Sequence, residues 1–246
     1  MIYHEWMIKR MAIYVMVLFF NAKLYAQTEG LGSWNIFQIR YAVNTQWSFF
    51  AETQIRSLRL YNHFHYHEYK AGASRKLNEF LTVSLGAGDY DTYTEGGNFF
   101  SPKRNDEFRL WPQVVVIQTL GKLRIEQRFR YEARFSSADF RNRFRFRLGI
   151  QYPIGKKTET GHRHQLAVNN ELFFSNVEPY FERNRFQAMW NYHLNKKLFI
   201  QLGYLYQFDY RLNDETGRDF LVVGWVFDLH HSNDTTTTEK YKVEDH

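Results

Sequence analysis

Charged residues occupy every second position from Arg124 to Arg134: Arg124, Glu126, Arg128, Arg130, Glu132 and Arg134. Across the short segment SSAD a second series follows in the same phase, Arg141, Arg143, Arg145 and Arg147. Glu171 in NNELFF and Arg183 and Arg185 in ERNRF extend it. Guanidinium groups are planar, permanently charged forks that hold carboxylates or phosphates through paired N–H···O bonds. Two chemistries therefore fit these positions. They form either an ion-pair network that fills a narrow lumen, or a ring of charge whose excess of arginine gives a narrow channel a preference for small anionic solutes.

Other chemistry-bearing groups are few. HFHYH places His63, His65 and His67 at alternate positions, about 7 Å apart along a strand, which is long for two ligands of one tetrahedral zinc. Their phase with Tyr69, Ala71 and Ala73 predicts that they face outward, so no metal site is expected. HHSN, His230 to Asn233, faintly resembles the histidine and serine pairing of outer-membrane lipases, but it has no third group to orient it. We expect no catalysis and no cofactor. The chain has no cysteine, which excludes disulfides, thiolate metal sites and a lipid-modified N-terminus. Its arginines stand singly between aromatics, not as a basic patch, so nucleic acid is not an expected partner.

The spacing itself dictates the element. A period of two puts alternate side chains on opposite faces of a β-strand, here one charged face backed by Ile125, Phe129, Tyr131 and Phe135. The same period recurs in eleven segments between Ser33 and Leu229. WSFFAETQIRSL alternates cleanly, LTVSLGAGDYDTY sets Leu81, Val83 and Leu85 against Thr82, Ser84, Gly86 and Gly88, and LFIQLGYLYQFDY has seven odd positions that are apolar or aromatic. The segments run longer than common globular strands and match the roughly 9 to 11 residues with which a tilted strand crosses a bilayer. The predicted fold is all-β: a transmembrane antiparallel up-and-down β-barrel of ten to twelve strands, closed because lipid leaves no backbone group unpaired. Trp34, Trp47, Phe135, Tyr152, Trp190, Tyr210 and Trp225 are expected to form interfacial girdles.

Two features sit awkwardly in this scheme. Pro112 lies within a strand and predicts a bulge. Taking 94–105, 136–139, 176–181 and 211–217 as outer loops makes the first and last strands run the same way, whereas bacterial barrels usually have even strand numbers. Either SWNIFQIRY is not a full wall strand or one strand is missed.

At the N-terminus MIKR, MAIYVMVLFF and NAKLYAQ read as the basic, apolar and polar regions of an export signal over 1–26. The apolar run is about half of what a membrane span requires. Without this segment the net charge falls from +6 to +4. Residues 27–32 then form a short lead, 33–229 the barrel, and 230–246 a polar tail expected to be disordered. Because that tail follows Phe227 and Leu229, insertion is expected to use an internal signal.

RLWPQ, RIEQRFRYEARF, RNRFRFRLGIQYPI, NNELFF, RNRFQAMWNYHLNKKLFIQLGYLYQF and FLVVGWVFDL together, in that order and spacing, resemble a family of Gram-negative outer-membrane barrel proteins catalogued only as a domain of unknown function. The resemblance implies location in the outer membrane, contact with its lipid and lipopolysaccharide, and insertion by the barrel-assembly machinery. It brings no catalytic or ligand residues.

Overall fold

The structure, a computed structural model, describes residues 30–231 except 101, 138, 159–160 and 212–214. The segment read as an export signal and the tail from residue 232 lie outside the described residues. Eleven strands follow one another: β1 (Leu31–Ala42), β2 (Trp47–Arg59), β3 (Asn62–Lys76), β4 (Leu81–Tyr93), β5 (Lys103–Leu120), β6 (Leu123–Ser136), β7 (Phe140–Thr158), β8 (Gly161–Ser175), β9 (Phe181–His193), β10 (Leu198–Asp209) and β11 (Thr216–His230). Each pairs with its sequence neighbours, and β1 closes the ring against β11. No helix occurs among the described residues.

The odd count is resolved at the seam. Every predicted segment is a wall strand, none was missed among the described residues, and β1 pairs with β11 in parallel from Leu31↔Asp219 to Ala42↔His230. The expectation of a wholly antiparallel barrel of even number fails for a physical reason. A parallel ladder satisfies backbone groups as completely as an antiparallel one, so parity is a habit of such barrels and not a condition for closing one. FLVVGWVF breaks the alternation because its inner face is apolar as well as its outer one: Phe220, Val222 and Val226 are buried inside the barrel, while Leu221 and Trp225 are exposed outside. Inside the seam Trp34 meets Phe220 edge-on at 5.5 Å, within an apolar cluster that includes Ala167, Met189 and Leu205. Trp34 is thus an interior residue, 4% exposed, and not part of a girdle.

One end carries tight turns and the other longer loops. Three of the turns repeat one device: Asn44, Asn78 and Asn195 each accept backbone N–H bonds from two or three residues ahead, at 2.8–3.1 Å. At the loop end Phe99 packs on Phe64, His67 and Tyr93. Glu95 there takes a 2.5 Å bond from Arg218 of β11, so this loop is tied across the mouth.

Pro112 makes no bulge. The β5–β6 ladder lapses at Trp111 and Pro112 and resumes in unchanged register, Leu110↔Ala133 and Gln113↔Arg130. The missing N–H is accommodated by a local gap. On its other side Trp111 lies opposite Gly86 and is fully buried. A Cβ at Gly86 would stand 2.5 Å from the Trp111 ring, so the glycine is what lets the indole enter the lumen. Gly86→Ala should therefore cost about 1–3 kcal/mol by overpacking. Its urea midpoint in detergent, compared with wild type, checks this, and an unchanged midpoint would mean that the indole moves freely.

Candidate functional site

The register of β6 against β7 creates an electrostatic problem. Arg128 lies opposite Arg147, Arg130 opposite Arg145 and Arg134 opposite Arg141, and like charges directly across a sheet repel. Carboxylates aimed into the gaps resolve it. Glu132, 0% exposed, accepts from Arg145 at 2.5 Å and Arg130 at 3.5 Å, and lies 3.8 Å from both Arg109 and Arg143. Glu171 bonds Arg128 and takes two 3.0 Å bonds from Arg145, one to each oxygen. Glu126 bonds Arg147, with Arg124 at 3.9 Å. These acids come from the same inward phase of β6 and β8 as the arginines.

A closed ring of alternating charge results. From Glu132 it runs through Arg143 to Glu182, on to Arg134 at 3.2 Å, to Glu107 at 2.7 Å, and through Arg109 back to Glu132. Aromatic rings cover the guanidinium faces. Arg56 lies 3.4 Å from the Trp34 ring centre, Arg109 lies 3.8 Å from that of Tyr90, and Arg145 lies 4.5 Å from that of Phe173.

This layer divides the interior. A cavity of about 500 Å³ opens toward the turn end and one of about 430 Å³ toward the loop end, and they share Trp34, Gln54, Lys70, Arg145 and Arg185 in their walls. Of the residues singled out in the sequence, Arg124, Glu126, Arg128, Arg130, Arg147 and Glu171 line the turn-end cavity. Arg134 and Arg143 line the loop-end cavity, and Arg145 and Arg185 line both. Glu132 lies in the layer between them. Arg141 lines neither: it is half exposed at the mouth, 2.8 Å from Asp139.

Sequence reasoning missed much of the layer. Arg56 with Glu68 at 2.9 Å, Glu107, Arg109, Glu182 and Asp209 all contribute. Arg56, Glu107 and Arg109 were available from phase alone. The stacking of Trp34 and Phe173 on arginines was not, since rings on a polar face give no periodic signal.

The three histidines do not share a face. A register shift between Arg56 and Ser57 leaves His65 as the extra residue of a bulge, where it lines the loop-end cavity, while His67 lies 3.5 Å from Asp91. Near it Asp89, Asp91 and Asp106 converge to within 4.8 Å, with Lys103 on Asp91 at 2.9 Å and on Asp106 at 3.2 Å. Of HHSN, His231 lies 3.2 Å from the Tyr41 hydroxyl, and Ser232 and Asn233 are outside the described residues.

The fold and its interior define a closed β-barrel with a charge-filled lumen. The chain belongs to the family described as Protein of unknown function (DUF2490), which it matches over residues 31–218. None of the curated proteins compared with it matches.

A carboxylate buried among four arginines cannot be removed cheaply. Glu132→Gln should cost about 3–5 kcal/mol, the usual consequence of breaking a buried pair, against about 0–1 kcal/mol for Glu215→Gln in a loop. Urea midpoints of the folded form of each variant, in one detergent, test this. Equal shifts would show that water screens the network.

Proposed function

We propose that the protein is a membrane-spanning outer-membrane β-barrel of Gram-negative type whose lumen is shut at mid-height by its own ion pairs, serving a structural or surface-interaction role without catalysis. The observation that supports this is an inversion of polarity. Glu68, Glu132, Arg130, Arg143 and Glu171 are buried, whereas Phe49, Leu85, Phe129, Phe144 and Leu202 are exposed on the outside. Soluble monomers rarely expose an apolar band of this extent, and lipid is the solvent that rewards it. The resemblance seen in the sequence points the same way, toward outer-membrane lipid and lipopolysaccharide as neighbours and the barrel-insertion machinery as the route.

A narrow channel selective for small anions is the second reading. It is favoured by one feature: the two cavities abut across shared side chains, so movement of Arg145 or Arg185 would join them.

Three measurements test the proposal. The protein should require detergent for extraction and migrate more slowly after boiling; recovery in a soluble fraction would sink the membrane reading. Planar bilayers should show no stepwise conductance, and steps in the wild-type protein would favour the channel. Leu202→Arg, on the outer face, should cost about 2–4 kcal/mol near a bilayer midplane, and a cost near zero would place that face in water.

A further inference from the structure

Eleven cationic side chains but only three carboxylates, Glu68, Glu95 and Asp209, line the loop-end cavity. Most of the excess is answered by acids set behind the wall, such as Glu107 and Glu182. Arg185 is not. Among the described residues no carboxylate lies within ion-pair distance of it; its Nε donates to the Gln207 amide oxygen at 2.8 Å. Glu171 is its register partner across β8 and β9, yet the oxygens of Glu171 are taken by Arg128 and Arg145. The Arg185 guanidinium instead sits 4.9 Å from the Trp34 ring centre and 4.8 Å from that of Phe173.

Ring faces attract a cation only modestly, by less than a confined guanidinium loses on leaving water unpaired. Arginine does not shed its proton to escape this cost. A rigid, clamped fork facing a positively lined cavity is a recognition element for an oxyanion. We infer that Arg185 anchors a binding site in the loop-end cavity for a small, multiply charged phosphate or carboxylate anion. Arg183, two residues along the same face of β9, is tied to Asp209 and also lines this cavity. The site goes beyond the closed-lumen reading and does not depend on it, because an anion can enter from the mouth without crossing the layer.

Titration calorimetry of the full-length protein in zwitterionic detergent, at low ionic strength, with inorganic pyrophosphate and separately with citrate, is the test. Saturable binding of at least one is expected: pyrophosphate alone assigns phosphate chemistry, citrate alone carboxylate chemistry, and both a general polyanion site. Arg185→Gln should weaken it about tenfold, the loss of a charge-assisted contact, while Arg141→Gln at the mouth should leave it unchanged. If Arg185→Gln does not give the heat-modifiable form, Arg185→Lys decides, since it keeps the charge and loses the fork; about tenfold weaker binding is again expected. Silence of the wild type toward both anions, or undiminished affinity in the Arg185 variant that folds, overturns the site. A conducting wild-type barrel would overturn the closed lumen and leave this result standing.

Discussion

A carboxylate sealed from water has to be neutralised where it stands, and Glu132 imposes that demand on the whole interior. Its four arginine neighbours come from β5, β6 and β7; three of them in turn answer to a second acid, and Arg130 donates to the Gln113 amide oxygen, since confined guanidinium groups repel one another. Arg145 is satisfied by Glu171 of β8, Arg143 by Glu182 of β9, and Arg109 by Glu107 of β5. One buried charge thereby fixes the relative positions of five consecutive strands. Because the links form a ring, shifting any strand by one residue would turn its charges outward and break two links at once.

The opposite arc of the barrel is held by different physics. From β8 round to β1 the interior is occupied by Ala167, Met189, Leu205, Phe220, Val222 and Trp34. Close packing of apolar groups fixes distance but tolerates small changes of angle, which suits the place where the chain's two ends must meet. The parallel ladder there is long, and the edge-on contact of Trp34 with Phe220 sits just inside it. Neither arc would close the barrel alone: the charged arc supplies register and the apolar arc supplies the seam.

How much of this was legible follows from the same division. Alternation in RIEQRFRYEARF or RNRFRFRLGIQY reports strand, face and phase together, because the charges must all point away from the apolar face. All eleven strands could be placed that way. Closure itself was expected, but its parallel geometry could not be placed, since no local signal distinguishes a parallel seam from a missing strand; only the two-faced apolarity of FLVVGWVF hinted at it. Trp34 was misplaced because an aromatic near a strand end fits a girdle and an interior stack equally well in sequence. His65 was misassigned for another reason: the bulge opposite Ser57 shifts phase within β3, and a one-residue insertion inverts every parity argument beyond it, whereas His67 keeps the outward face of Tyr69. Pro112 was read too pessimistically, as its neighbours hold register across the gap.

The two arcs meet on β8 and β9, and the border explains why one cation is left over. Arg185 stands between Trp34 of the seam and Phe173 beside the charged ring, so it belongs to neither packing scheme. Moving an acid to it would take Glu171 from Arg145, and Arg145 is one of the groups that neutralise Glu132. The most deeply buried charge therefore has first claim on the available carboxylates, and the deficit is displaced to the edge of the network, where a cavity open to solvent adjoins it. A deficit in that position can be made good by something from outside, whereas the same deficit at Glu132 could not.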